Sequence, residues 1–473
     1  MSEPSYSLIA VGTGFATIFF LHRYLRSAPE GARVLLLERG PAMPHSEQLE
    51  RAHDEPLDGS GLVDTAGAAG KTWRFSVGLG GGSNCWWACT PRFMPGDLEM
   101  RSRYGVGEDW PIGYDDLEPY YAEAEEIMAI SGAPRMPYRM SRPYPQPPHE
   151  LSRPDALLQA AYGDLYTPQP TARARLGTEN RAPCCANGVC SICPVNAKFT
   201  IENEMSAVLQ DPRVTLLTGA EVLAVETEGG LATGVRYRRE GREEQAAGEM
   251  VALGANAIFN AFILLRSGFD DAALGRYLHE QGGIEARVNL TGLRNFTGST
   301  VITGQGFMFY EGAHRAERAG ALMEGWNRAR PRLAYNRWAE VVPLRLVFED
   351  LPLFENRVEI SSGNPERPLA VTERRSAYFE AGIAAAPGLF EEMMGHLPAE
   401  DYELGYVTTN EAHVLGTARM GTDPEASVVD DGLVHHRVRN LLVLGGSSFV
   451  TGPPANPTLT ISALSLRAAD RLA

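Results

Sequence analysis

Two glycines near the N-terminus have the spacing of a phosphate-binding turn. Gly12 and Gly14 follow the apolar run 7–11, and a helical pattern begins directly after them. Gly12 permits a tight turn, and Gly14 lets the backbone approach a pyrophosphate lying on the N–H groups of the helix. A second apolar run, 34–37, ends on Glu38, which would accept hydrogen bonds from a ribose. These parts predict a dinucleotide-binding βαβ unit; the alternative is an ordinary strand–turn–helix with a glycine cap.

Four of the six cysteines lie within ten residues, at Cys184, Cys185, Cys190 and Cys193, with a proline next to the last. Three or four thiolates this close together can hold an iron–sulfur cluster or zinc. Disulfide bonds are the other candidate, although a chain with no signal peptide of its own disfavours them. Buried, inert thiols are the remaining interpretation.

Residues 78–84 form a second glycine-rich loop, in which glycine occupies four of five consecutive positions. Backbone of this kind either lies close to something flat or charged or acts as a mobile hinge. Beside a βαβ unit, the first interpretation is favoured.

The elements that must position these residues follow from the apolar patterns. Segment 134–170 is rich in Pro, Arg and Tyr and is expected to be an irregular surface excursion. The pattern predicts strands at 214–217, 221–225, 234–238, 250–253, 342–347, 357–360 and 441–444, and helices at 116–130, 258–265, 376–395 and 458–472. Because the pattern of the nucleotide domain returns near 250 and again near 441, a second sheet is expected to be inserted between its parts. His435 and His436 have no motif around them and are expected in a solvated turn.

The composition limits the class of protein. The chain contains 43 Lys and Arg against 59 Asp and Glu, a formal net charge of −16, which argues against nucleic acid or an anionic membrane as a partner. No apolar run approaches the roughly 18–20 residues of a membrane span. The N-terminus enters the first strand at once, so a cytoplasmic protein is expected; the alternative is a periplasmic one, exported together with a partner subunit.

Taken in order, these segments resemble the glucose–methanol–choline (GMC) family of flavin oxidoreductases. The motifs that carry the resemblance are 36–40 (LLERG), 80–84 (GGGSN), 91–93 (PRF), 110–111 (WP), 117–121 (LEPYY), 253–255 (LGA), 264–268 (LLRSG), 413–421 (HVLGTARMG), 440–443 (NLLV) and 456–460 (NPTLT). Within the family the chain is most similar to sugar oxidoreductases, namely pyranose oxidase and the bacterial FAD-dependent glucose and gluconate dehydrogenases.

The resemblance implies an α/β fold with two domains. A discontinuous, Rossmann-like FAD-binding domain would comprise 1–95, 205–280 and 411–473. An inserted α+β substrate domain, built on an antiparallel sheet, would comprise 96–204 and 281–410 and include the Cys-rich segment 184–193.

The resemblance also implies the catalytic residues. His413 corresponds to the family's base, and Asn456 to the position whose amide would hold the substrate oxygen toward the histidine and the flavin. Hydride transfer from an alcohol carbon to flavin N5 requires that the alcohol proton leave, and the unperturbed pKa of histidine suits that task.

The cofactor contacts are implied in the same way, residue by residue. Cys85 stands where family members with a covalent flavin have a histidine, so a non-covalent FAD is expected. The implied FAD-binding residues are Gly12, Gly14, Phe15, Ala16, Glu38, Arg39, Gly81, Gly82, Ser83, Asn84, Cys85, Val222, Gly446, Ser447, Pro457 and Thr458.

The cysteine segment is similar to that of some FAD-dependent glucose dehydrogenases, in which it supports a three-iron cluster. That resemblance implies Cys184, Cys190 and Cys193 as ligands of a [3Fe–4S] cluster. Electrons would then leave the flavin for a haem or quinone acceptor partner rather than for oxygen.

The expected activity is therefore FAD-dependent dehydrogenation of an alcohol, most simply a sugar or glycoside hydroxyl. The rivals are an oxidase that passes electrons to oxygen, a GMC-type lyase without net redox change, and a binding protein that keeps flavin only structurally.

Overall fold

The structure is a computed structural model of the 473-residue chain and describes residues 5–51, 57–188, 190–295, 300–328 and 330–472. Within these residues the strands are β1 (Leu8–Val11), β2 (Val34–Leu37), β3 (Asp64–Ala66), β4 (Tyr166–Pro168), β5 (Val214–Leu217), β6 (Ala220–Glu228), β7 (Leu231–Arg239), β8 (Arg242–Ala247), β9 (Val251–Leu253), β10 (Gly282–Leu290), β11 (Ile302–Gly306), β12 (Ala321–Trp326), β13 (Val341–Phe348), β14 (Arg357–Ile360), β15 (Pro368–Val371), β16 (Ala399–Leu404) and β17 (Leu441–Val443).

The α-helices of the same ranges are α1 (Phe15–Ser27), α2 (His45–Arg51), α3 (Pro95–Leu98), α4 (Met100–Tyr104), α5 (Tyr114–Ile127), α6 (Arg153–Tyr162), α7 (Ile201–Glu204), α8 (Ser206–Leu209), α9 (Asn256–Arg266), α10 (Ala377–Met394) and α11 (Thr458–Asp470). No helix in the described part of the chain is long and apolar enough to cross a membrane.

A five-stranded parallel sheet has the order β17-β9-β1-β2-β5. Its central residue Ala10 lies opposite Leu36 on one side and Ala252 on the other. Strands β1, β2, β9 and β17 are wholly apolar and buried, as parallel strands covered on both faces must be. The sheet collects its strands from distant stretches of the chain, so the predicted return of the first pattern near residues 250 and 441 is confirmed.

Glycines allow β1, α1 and β9 to approach one another. Gly12 has φ +86°, and a Cβ there would lie 2.6 Å from the Gly254 carbonyl oxygen. A Cβ on Gly254 would overlap the Thr17 hydroxyl, which donates to the Val11 carbonyl at 3.1 Å. The missing side chain at Gly254 therefore makes room for Thr17 in α1.

A six-stranded antiparallel sheet has the order β16-β10-β13-β12-β11-β4. One of its faces packs Met323, Leu344 and Leu346 against Phe379 and Phe390 of α10 in a second apolar core. Two smaller three-stranded sheets, β6-β7-β8 and β14-β15-β3, complete the mixed α/β fold.

Two expectations from the sequence were wrong. Segment 134–170 is not wholly irregular, because it contains α6 and β4. The hydroxyl of Ser152 accepts the Asp155 N–H at 3.2 Å and Pro154 lies in the first turn, which are helix-start signals that the proline-rich composition concealed.

His435 is fully buried rather than in a solvated turn. Its Nδ1 accepts the N–H groups of Arg437 and Val438 at 3.2 and 3.1 Å, so Nε2 carries the proton. Nε2 lies 3.1 Å from the Asp271 carboxylate. This histidine therefore holds a tight turn in place.

Candidate active site

Three glycine-rich segments that are far apart in sequence meet at the N-terminus of α1. A Cβ on Gly81 would lie 3.1 Å from the Gly14 Cα, and a Cβ on Gly445 would lie 3.1 Å from the Ala16 Cβ. A Cβ on Gly14 or Gly82 would meet no described atom within 4 Å. The helix begins at Phe15, and no described side chain caps it. Its first N–H groups and positive dipole end therefore face open space, an arrangement that suits a phosphate.

Glu38, expected to bind a ribose, is buried at the end of β2 and already has partners. One carboxylate oxygen accepts the Thr13 N–H at 3.0 Å and the Thr13 hydroxyl at 2.6 Å, and the other accepts the Gly40 N–H at 2.8 Å. Burial raises the pKa of Glu38, although these hydrogen bonds oppose the shift. The carboxylate thus ties the glycine turn to the end of the second strand.

Arg39 and Val222 lie in the same region. The Arg39 guanidinium is 3.0 Å from the Glu221 carboxylate and 4.9 Å from the centre of the Phe259 ring. Val222 is buried on β6, next to Glu221. The structure therefore places both residues near the carboxyl end of β2.

Side chains of the second glycine loop mostly stabilise the loop itself. The Ser83 hydroxyl donates to the Gly80 carbonyl at 2.7 Å, and the Asn84 amide donates to the Leu79 and Gly81 carbonyls at 2.9 and 3.0 Å. The Cys85 sulfur lies 2.8 Å from the Ser76 hydroxyl. The Ser83 and Asn84 side chains are thus engaged within the loop, and its backbone is the part that remains available to bind a ligand.

Lys198, which the sequence did not single out, clamps this loop to the Cys-rich segment. Its buried ammonium donates to the carbonyls of Asn84, Trp86 and Ser191 at 2.9, 3.0 and 2.6 Å. Burial lowers the pKa of Lys198 to about 8. An isolated lysine in a polar stretch gives no sequence signal of such a role.

Gly446 and Ser447 belong to a tight turn that contacts the segment following His413. The Gly416 N–H donates to the Gly446 carbonyl and the Ala418 N–H to the Ser447 carbonyl, both at 2.9 Å. The Ser447 hydroxyl accepts the Asn260 amide at 2.8 Å. These bonds fix the position of His413 relative to the glycine turn at 445–448.

The His413 imidazole is held by Gln281. His413 Nδ1 lies 3.1 Å from Gln281 Oε1, and Gln281 Nε2 donates to the carbonyls of Pro453 and Ala455 at 2.7 and 3.2 Å. Because those two carbonyls require the amide nitrogen, the oxygen of Gln281 must face the imidazole. Nδ1 therefore carries the proton and Nε2 carries the free lone pair. Burial lowers the pKa of His413 to about 4, so the ring is neutral at pH 7.

Asn456 comes directly after Ala455, whose carbonyl accepts a hydrogen bond from Gln281. Its Oδ1 is buried and has no hydrogen-bond partner among the described residues. Pro457 and Thr458 then form the start of α11. Gln281 thus joins the imidazole to the peptide immediately before Asn456, and the structure brings the two predicted catalytic segments together.

A buried ion pair supports the backbone of His413. One oxygen of Glu280 accepts the His413 N–H at 3.2 Å and also the Glu411 N–H, and the other pairs with the Lys71 ammonium. Lys71 and Glu280 are 5% and 1% exposed, and burial lowers the pKa of Lys71. Neither residue belongs to a motif that sequence reasoning could use.

In the part of the chain that the structure describes, the cysteines expected to bind metal are not gathered into a metal-binding group. Among the described residues, no group of three or more His, Cys, Asp or Glu could hold a metal ion. Cys190 packs with Val301 and Ile302, and the Cys193 sulfur accepts the Ala197 N–H at 3.3 Å. Burial raises the pKa of the Cys184 thiol. The structure therefore gives the expected iron–sulfur cluster no support.

Comparison with known proteins gives a matching protein family. Residues 352–465 match the family model of the GMC oxidoreductases, so the resemblance inferred from the sequence is confirmed. Similarity to individual curated proteins extends over nearly the whole length of the chain.

It is 26% identical to the large subunit of fructose dehydrogenase from Gluconobacter japonicus, with 99% of this chain and 98% of that protein covered. It is 27% identical to 2-methyl-1,2-propanediol dehydrogenase from Mycolicibacterium austroafricanum, with 94% and 92% covered. A solved FAD-dependent oxidoreductase from Chaetomium thermophilum shares the fold, with a TM-score of 0.72 over 99% of both chains at 15% identity.

Proposed function

We propose that this protein oxidises an alcohol, most simply a hydroxyl of a sugar or glycoside, with non-covalent FAD as the redox cofactor. The observation that carries the proposal is the link from His413 through Gln281 to the peptide before Asn456. The relatives support it, since those compared above are named as dehydrogenases of a sugar and of a diol.

The open space at the N-terminus of α1 fits the cofactor. Gly12, Gly14, Phe15 and Ala16 would hold its pyrophosphate, with the loops 81–85 and 446–447 on either side, while Glu38, Arg39 and Val222 would hold the adenosine part. Pro457 and Thr458, at the start of α11, would complete the site near Asn456. Bound flavin would supply a hydride acceptor at N5.

The domain division follows the two large sheets. All strands of the parallel sheet come from 1–95, 205–280 and 411–473, which we assign to FAD. All strands of the six-stranded sheet come from 96–204 and 281–410, which we assign to the substrate.

In this proposal, His413 acts as the base. Its Nε2 lone pair takes the hydroxyl proton of the substrate, and Gln281 and Glu280 keep the ring and its backbone in place. The amide N–H of Asn456 would orient the alcohol by donating to its oxygen while the hydroxyl proton points at His413 Nε2, and the unpartnered Oδ1 would accept from a neighbouring hydroxyl.

We further propose that the electrons pass to an acceptor other than oxygen, through a partner subunit. One relative is named as the large subunit of a dehydrogenase, which supports a multi-subunit enzyme. An oxygen-using oxidase is the alternative.

The test is a spectrum of protein purified without oxygen. A panel of alcohols and sugars is added, and bleaching of the flavin band near about 450 nm, the usual flavin maximum, is followed before and after air is admitted. Bleaching by a sugar that persists in air is the expected result. Prompt reoxidation with peroxide identifies an oxidase, and no bleaching by any alcohol contradicts the proposal. The iron content of the same sample tests the cluster expectation.

A further inference from the structure

A row of polar side chains crosses one face of the six-stranded sheet. Thr167 on β4 lies directly opposite Gln305 on β11, Gln305 opposite Glu324 on β12, and Glu324 opposite Arg345 on β13. Directly opposed residues of antiparallel strands point to the same face. All four side chains are buried.

The opposite face of the sheet is filled. The alternating residues Tyr166, Met323 and Leu344 belong to the apolar core that contains α10. A Cβ on Gly304 would overlap the Tyr166 hydroxyl and lie 2.8 Å from the Asp155 carboxylate. The polar row therefore faces away from α10.

The row lies between the second glycine loop and the candidate base. At one end, Gln169, two residues after Thr167, contacts the thiol of Cys89, four residues after the expected flavin contact Cys85. At the other end, the Arg345 guanidinium binds the carboxylate of Glu411, two residues before His413. With strands about 4.8 Å apart, Gln305 is about 10 Å from Arg345 across the sheet, and Glu324 lies between them on the same face.

Several polar atoms of this row lack partners. Gln305 is 0% exposed, and neither its Nε2 nor its Oε1 has a hydrogen-bond partner within the described ranges. The same is true of the Thr167 hydroxyl, and the Gln169 amide has only the weakly bonding Cys89 thiol beside it. Each unpaired buried group costs free energy, so a cluster of them is disfavoured unless something binds there.

The types of these atoms indicate what would bind. Gln305 leaves a donor group, its NH2, and an acceptor, its carbonyl oxygen, unpaired, and hydroxyl groups can satisfy both because each donates and accepts. A carboxylate or phosphate would leave Oε1 without a donor, and an ammonium group would leave Nε2 without an acceptor. The site therefore favours uncharged ligands with several hydroxyl groups.

We propose that Thr167, Gln169 and Gln305 bind the hydroxyl groups of a polyhydroxylated, uncharged substrate of the carbohydrate type while the hydroxyl to be oxidised lies at His413. This inference rests on the proposed function. It assigns substrate recognition to the face of the six-stranded sheet that lies away from α10. No motif in the sequence marks the residues of this face.

The experiment measures binding without turnover. Isothermal titration of the His413→Ala protein uses D-glucose, D-fructose and sorbitol as probes, with 1-propanol as the single-hydroxyl control. Gln305→Met and Thr167→Val are then added in that background, with Gln245→Met, at an exposed position of β8, as the matched control. At least one polyol is expected to bind, with a dissociation constant about tenfold higher in Gln305→Met and unchanged in Gln245→Met.

Thermal unfolding without ligand provides the second measurement. The midpoint of Gln305→Met is expected to equal or exceed that of its parent, because the substitution removes unpaired polar atoms without removing a native bond. A lower unfolding midpoint in Gln305→Met than in Gln245→Met would show that Gln305 stabilises the fold itself, and it would overturn the inference. Unchanged polyol affinity, or no polyol binding at all, would also overturn it. A third outcome is that polyol binding depends on Gln305 but no alcohol reduces the flavin. That outcome would refute the proposed function and leave this inference standing.

Discussion

Nδ1 of His413 lies 3.1 Å from Oε1 of Gln281. The amide nitrogen of Gln281 donates to the carbonyls of Pro453 and Ala455, just before Asn456 in the chain. This single contact determines which imidazole nitrogen carries the proton. It leaves Nε2 as the basic atom.

Replacing Gln281 by Leu is expected to slow flavin reduction about 10- to 100-fold, because the imidazole loses the partner that fixes its tautomer and orientation. Gln281→Glu keeps an acceptor for Nδ1–H but loses the donor to the Pro453 and Ala455 carbonyls, and its negative charge should move the acid limb of the pH profile to higher pH. Stopped-flow measurements at a saturating alcohol concentration check both variants. Full activity in Gln281→Leu would exclude this role.

The pH dependence of the wild-type protein follows from the buried imidazole. Burial lowers the pKa of His413 to about 4, so the basic form predominates throughout the neutral range. The rate of flavin reduction is expected to stay level above about pH 5 and to fall about tenfold per pH unit below the pKa. The contrary result would be an acid limb near pH 6.5 in the wild type that disappears in His413→Ala. It would show that burial does not lower the pKa of this imidazole.

The Lys71–Glu280 pair should show strong coupling in denaturant unfolding. Lys71→Met or Glu280→Gln alone is expected to cost about 3–5 kcal/mol, because each leaves the other charged group buried without its partner. The double variant should cost clearly less than the sum of the two. Additive losses would mean that the two groups do not interact.

His279 should make stability fall in acid. It is 4% exposed, its Nδ1 lies 2.7 Å from the Tyr277 carbonyl, and burial lowers its pKa to about 4. The unfolded chain binds the proton more readily, so this contribution is complete above about pH 6.5 and decreases as the pH falls. At pH 5 the loss should be about 2 kcal/mol. The difference in unfolding free energy between wild type and His279→Asn, measured at pH 7.5 and pH 5, isolates this contribution; an equal difference at both values contradicts it.

The flavin is expected to dissociate on denaturation. The Cys85 thiol lies against the Ser76 hydroxyl, and our proposal gives it no covalent bond to the cofactor. Acid precipitation should therefore release all of the flavin into the supernatant, from wild type and from Cys85→Ser alike. Flavin fluorescence that stays with the wild-type polypeptide on a denaturing gel, but not with Cys85→Ser, would contradict this expectation.

Local patterns predicted the parallel sheet well because its strands are short and largely apolar, and because β1 and β9 are followed directly by glycine. The predicted limits coincide with those in the structure for β5 of this sheet and also for β14 of the smaller β14-β15-β3 sheet. By contrast, α6 and β4 lie in a proline-rich stretch, where composition concealed a capped helix and a strand that pairs with a partner more than 130 residues away.

The supporting residues of the site could not be predicted for a different reason. Gln281, Glu280 and Lys71 act through contacts with residues 131 to 338 positions away, and their types are common in any chain. Lys198 is similar, since its three acceptors are backbone carbonyls that leave no trace in the sequence. Ordered motifs located the segments of the site; only the fold shows which side chains hold them.

The parallel sheet takes its edge strand from residues 441–443, and α11 packs against α1 through contacts that include the Arg23–Asp470 ion pair at 2.6 Å. During synthesis the first strand, its glycine turn and its helix leave the ribosome more than 400 residues before these partners do. The nascent chain consequently carries exposed apolar helix surface for most of its translation. The N-terminal glycine turn and its helix therefore gain their neighbours α11 and the edge strand only after residues 441–470 have been synthesised.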